Sequence, residues 1–219
     1  MTPNLERAAT AAAETIIKYR VSSAPVSPLK ILKSCPGVIV LSFTDMAAEI
    51  GMDRQSLIDR YDSRNKDAVT LVKQISGRLR YIVTYNQRMP EYILQRAIAR
   101  ELGHIVLGHD GSRPEDVRTA EALCFARHLL CPRPLIRSLQ DSGIPFTIEM
   151  LGSITGCYER CLVDIQHTDG VRVPPELNRL VRDQFSDYVS NIIDCRSIFT
   201  THDCSMQVNF GTYMDLYSE

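Results

Sequence analysis

The segment AIARELGHIVLGHD, residues 97–110, repeats polar side chains at helical spacing. Arg100, Glu101 and His104 fall within an arc of about 100°, because three or four residues bring a helix back to nearly the same side. Ile98, Leu102 and Ile105 fall on another arc and suit a core. A helix that offers a carboxylate and an imidazole in this way can do hydrolytic metal chemistry. Two imidazoles four residues apart hold zinc, and a Glu beside the first takes a proton from the metal-bound water. Glu101 stands in the general-base position and His104 in that of the second ligand. Arg100 occupies the place of the first ligand, and a guanidinium is permanently cationic with no lone pair to give.

A third ligand is expected from a neighbouring helix. Glu121 lies 17 residues beyond His104, with Val117, Phe125 and His128 on the same helical face. An alternative role for Glu121 is an ion pair with Arg100, a guanidinium-carboxylate contact joining the two helices where a metal would otherwise do so. His109, five residues after His104, can serve as an extra ligand only if the helix ends and turns there. His128 reads as a partly buried helix histidine. Cys157 and Cys161 in GCYERC are at i, i+4 but lack a second pair, so packing suits them better than a metal. His167 and His202 have no motif around them.

These residues need two helices. Pro90 opens the first, running to about His109. Ser112 and Glu115 have the spacing of a capping box for the second, which stops before Pro132. Upstream, Leu5 to Tyr19 has helical periodicity, Val38 to Phe43 is a β-branched run suited to a buried strand, and Thr44 or Asp45 caps a helical hairpin with Gly51 in its turn. That hairpin, residues 46–61, has the outline of a helix-turn-helix, but acidic flanks disfavour DNA binding. Ala68 to Ile75 and Leu79 to Tyr85 read as a β-hairpin, with the second strand at an edge where a substrate strand could add. Beyond Pro134 the pattern is helical, and residues 177–193 form one long apolar stripe.

The pair of strings ARELGHIVLGH and EALCFARHLLCP resembles the ImmA/IrrE metallo-endopeptidase family (the DUF955 domain), whose members carry a HELGHxxLGH helix followed by EAxxFAxxLLxP. The two motifs cover about residues 97–132. The resemblance implies an α+β, zincin-like metallopeptidase domain over residues 1–155, with motif helices at about 90–109 and 113–131. A small antiparallel sheet accompanies several helices, and residues 156–219 form a helical C-terminal extension. It also implies zinc as cofactor, Glu101 as general base, and His104 and Glu121 as metal ligands. The implied partner is a protein or peptide substrate such as a DNA-binding repressor, in bacterial mobile elements or stress responses. Arg100 departs from the family pattern. Two readings follow: a zinc endopeptidase with a degenerate site, or a non-catalytic regulatory module with an Arg100–Glu121 ion pair in place of zinc.

Composition narrows the classes further. The chain has 219 residues, 44% hydrophobic, enough to bury a full core. Its 25 basic and 26 acidic residues give a formal net charge of -1, so direct nucleic-acid binding is not expected from the overall balance. The N-terminus lacks the basic and apolar regions of a secretory signal, and no run approaches the roughly 18 apolar residues of a membrane span. A cytoplasmic protein is expected, with its seven cysteines reduced.

Overall fold

A computed structural model describes residues 1–61, 67–75, 78–110, 112–143, 148–156 and 170–201. Within these the chain is mixed α+β, mostly helical around one three-stranded sheet. Cys157, Cys161, His167, His202 and the turn at 76–77 lie outside the described residues. None of the described helices is long and apolar enough to cross a membrane.

Helix α1 (Leu5–Lys18) starts where the Asn4 side chain accepts the Arg7 N–H, and its alanine-rich face is buried from Ala8 to Ile16. Helix α2 (Pro28–Ser34) leads into strand β1 (Val38–Ser42). Ser42 then caps α3 (Phe43–Glu49) through a reciprocal capping box with Asp45. The expectation put Thr44 or Asp45 at this cap; the chain enters the helix two or three residues earlier, and Asp45 supplies the returning carboxylate. Gly51, at φ +65°, turns the chain toward α4 (Arg54–Tyr61), as a residue without Cβ can.

The sheet order is β1-β3-β2, with β2 spanning Ala68–Ile75 and β3 spanning Arg78–Tyr85. The 79–85 run is therefore the central strand and not an edge, and the sheet is mixed, not antiparallel. β3 pairs antiparallel with β2 through the hairpin, while β1 adds in parallel on its other side, matching Val40 to Val83. The hairpin signal in the sequence is local. The pairing of β1 with β3 is long-range and has no local signature. Alternation gives each face its own cover. Leu41, Leu71 and Ile82 meet Phe43, Met46 and Leu57 of the α3–α4 hairpin. Val40 and Val83 face the main helical core. On β2 this second face carries Ala68 and Thr70, which pair in register with Tyr85 and Val83.

That main core is built on α1, α5 (Glu91–Val106) and α6 (Glu115–Leu130), with Leu102, Phe125 and Leu129 fully buried. Gly103 allows α5 and α6 to pack closely: a Cβ there would stand 3.0 Å from Phe125 Cδ1 and 3.2 Å from the Ala122 carbonyl oxygen. After α6 come α7 (Arg133–Asp141) and α8 (Ile148–Thr155).

The apolar stripe of 177–193 forms two helices, α9 (Pro175–Gln184) and α10 (Ser186–Thr201), meeting at Phe185. The Phe185 side chain is fully buried, on the same side as Val181 and Val189. Val181, Phe185 and Val189 belong to the same hydrophobic cluster as α1. The Gln184 amide donates to the carbonyls of Ile16 and Val21, 2.9 and 2.8 Å, satisfying groups around the end of α1. The described part of 156–219 therefore shares the core of residues 1–155.

Candidate functional site

The end of α5 sets the geometry. Gly108, at φ +63°, lets the chain reverse; its N–H bonds the Ile105 carbonyl and the His109 N–H bonds the His104 carbonyl, 3.1 and 2.9 Å. This Schellman closure folds His109 back over the last turn. The condition set by the sequence for His109 is therefore met. Its imidazole is buried and lies edge-on to His104, with Nδ1 of each ring 2.9 Å apart. The other nitrogen, Nε2, is 2.9 Å from Glu121 Oε2.

Glu121 projects from α6 and is 1% exposed. Its Oε1 accepts the backbone N–H of Asn4 at 2.8 Å, and Arg113 approaches both oxygens at 3.3–3.4 Å. Burial on its own would push this carboxyl up. The Asn4 N–H, the His109 ring and the Arg113 guanidinium outweigh it and hold the group below its ordinary value. An ionised Glu121 can only accept, so His109 donates through Nε2. In the neutral tautomer His109 then accepts at Nδ1 from the Nδ1–H of His104. Burial pushes His104 down to about 4; Glu101 pulls it back up, while His109, Arg100 and Arg118 push the same way as burial. With His109 in that tautomer the donors run one way, His104 to His109 to Glu121.

Arg100 and Glu101 are joined to each other. Arg100 Nη2 and Nε donate to Glu101 Oε1 at 2.8 and 3.1 Å, and Nη2 also reaches the Ala68 carbonyl on β2 at 3.2 Å. Thr70 Oγ1 donates to the other oxygen, Oε2, at 2.7 Å. Both oxygens of the general-base candidate are thus engaged. The expected Arg100–Glu121 pair is not the one formed. The ion pairs at the site join Arg100 to Glu101, and Glu121 to Arg113 and His109. The folded-back His109 ring takes the side of Glu121 on which His104 lies.

All five sequence candidates, Arg100, Glu101, His104, His109 and Glu121, meet at the α5–α6 junction. Asn4, Thr70, Arg113 and Arg118 join them without having been singled out. Thr70 could have been found from the alternation of β2, which sets it on the face of Ala68. The Asn4 contact spans 117 residues and leaves no trace in the sequence. The proposed Ser112 cap is also displaced. α6 begins after Pro114 with no side-chain cap, and Ser112 instead donates its N–H and hydroxyl to Asp110.

Zinc needs lone pairs from several protein atoms converging on one point at about 2.0–2.2 Å. Here His109 directs Nδ1 to His104 and Nε2 to Glu121, so its ring links the two residues that should converge. Neither of its edges is left for an ion. Arg100 places a cation beside Glu101 where a ligand would be needed. Among the described residues no group of three or more His, Cys, Asp or Glu is placed to hold a metal. The residues present do not fit a zinc centre. The geometry can instead order buried polar groups, relay hydrogen bonds between α5, α6 and the start of α1, and fix Arg100 against the end of β2.

No family model matches the chain, and neither a curated protein nor a solved structure matches it.

Proposed function

We propose that this chain is an ImmA/IrrE-type domain that has exchanged zinc hydrolysis for recognition, acting as a regulatory module on a repressor or another regulatory protein. The hydrogen-bonded chain His104–His109–Glu121 carries this reading. It satisfies internally the groups that a zinc peptidase must aim at its metal, and Arg100 and Thr70 do the same for Glu101. The motif helices then serve as a scaffold. β2, at the end of the sheet order and next to the Arg100–Glu101 pair, supplies an edge to which an extended partner segment can add. Val72 on that strand is half exposed and offers an apolar contact. This replaces the 79–85 edge, which β1 covers.

The test is proteolysis. The full chain, with and without added zinc, is incubated with unfolded casein and followed by gel and by mass spectrometry. No cleavage is expected for the wild type. Zinc-dependent cleavage that disappears in Glu101→Gln would overturn the reading and restore the peptidase.

A further inference from the structure

A cavity of about 850 Å³ opens between the start of α1, the end of α6, the start of α7 and the approach to α9. Its walls carry five arginines: Arg7, Arg133, Arg137, Arg172 and Arg182. Among the described residues the only acidic side chain in the lining is Glu6. An adjoining recess of about 430 Å³ shares Arg137 and Arg182 and adds Arg179. The whole chain has a formal net charge of -1, so this concentration of one sign is local and not a consequence of composition. Like charges gathered in a concave wall repel one another and focus the field on an anion.

The walls are tied in place. Arg133 donates to the Val171 carbonyl and the Asn178 side chain to the Val173 carbonyl, fastening residues 171–173 to α7 and α9. Arg7 also reaches the Leu107 carbonyl at 2.8 Å. His128 also lines the cavity, but its Nε2 is shut from solvent and so faces protein, not the cavity. Ala13, Ile16 and Val181 add an apolar surface between the arginines.

We infer that this cavity binds a small organic phosphate of nucleotide size, its phosphates held by Arg137, Arg172 and Arg182 and its apolar part lying against α1. Guanidinium forks match phosphate oxygens in pairs, and the volume of this open cavity lies in the range of ligand sites for small molecules. This site adjoins the His104–His109–Glu121 cluster through Asn4 but does not rest on its proposed role.

The experiment is calorimetric titration of the full chain in chelator-treated buffer of about 50 mM salt, where charge attraction is weakly screened. The probes are ATP, inorganic pyrophosphate, adenosine and a single-stranded oligonucleotide. Saturable binding of one ATP per chain is expected, with pyrophosphate weaker and adenosine undetectable. Arg137→Ala with Arg182→Ala, both at exposed positions, should weaken ATP at least about tenfold while leaving the circular dichroism spectrum unchanged. Absence of saturable ATP and pyrophosphate binding up to about 1 mM would overturn the inference. Undiminished ATP binding by the double variant would do the same. Tighter binding of the oligonucleotide than of ATP would replace a small phosphate by nucleic acid and also overturn it.

Discussion

Replacing Glu121 by Ala probes the buried hydrogen-bond chain directly. The carboxylate accepts the Asn4 N–H at 2.8 Å and stands 2.9 Å from His109 Nε2, and both Glu121 and the His109 side chain are about 1% exposed. Truncation therefore leaves the buried His109 donor without an acceptor, costing about 1–3 kcal/mol, and removes the part-buried Asn4 hydrogen bond, worth about 0.5–1.5 kcal/mol. The partly exposed Arg113 regains water and adds little. The expected loss is about 2–4 kcal/mol, a large share of the roughly 5–15 kcal/mol typical of a folded domain. With a urea slope of about 2 kcal/mol/M, the unfolding midpoint falls by about 1–2 M. Glu121→Gln should lose less than half as much. Its oxygen can still accept from Asn4, and its NH₂ can face His109 once the two imidazoles exchange tautomers. A midpoint shift for Glu121→Ala below about 0.3 M would refute the reasoning, because a buried donor left unpaired cannot be that inexpensive.

Three further outcomes are expected. Stability should fall on acidification from about pH 6.5 toward pH 4. Burial, the largest cause at both residues, takes His104 and His128 down to about 4, so each binds a proton more readily when unfolded and its neutral form favours folding only above that window; urea midpoints measured from pH 7.5 to 4.5 check this, and a flat profile would contradict it. Gly103→Val should cost about 1–3 kcal/mol by forcing α5 away from Phe125 and the Ala122 carbonyl, read as a lower midpoint. Gln184→Ala should cost about 1–2 kcal/mol, because it removes both donors that fasten α9 to the end of α1, and thermal melting should show a drop of a few degrees.

Much of this site was legible in sequence, since local rules govern it. The three- and four-residue spacing put Arg100, Glu101 and His104 on one side of α5, but it carried the helix to about His109, where Gly108 stops it earlier and brings the second imidazole back. Glu121 followed from the pairing of two motif strings. What escaped came from long range. The β1–β3 pairing makes Tyr81 to Tyr85 a central strand, and its partner is about 40 residues away. Asn4 reaches Glu121 only because α1 packs on α6. The interruption at Phe185, on a stripe whose spacing continues unbroken, has no signal in the sequence. The identity of Arg100's partner was the least readable detail. Two carboxylates were within reach of the sequence argument, and the choice of Glu101 depended on Thr70 and Ala68 arriving from the sheet.

The central claim is that hydrogen bonds have taken the place of zinc at the α5–α6 junction, and metal content tests it most directly. Wild-type protein, purified without a metal-binding tag and dialysed against buffer holding a slight excess of zinc, is analysed by elemental mass spectrometry beside Arg100→His. The wild type should carry far less than one zinc per chain, and its urea midpoint should be unchanged by a chelator. About one tightly held zinc per wild-type chain, with a midpoint that drops when the metal is stripped, would contradict the account and return Glu101, His104 and Glu121 to the roles of base and ligands.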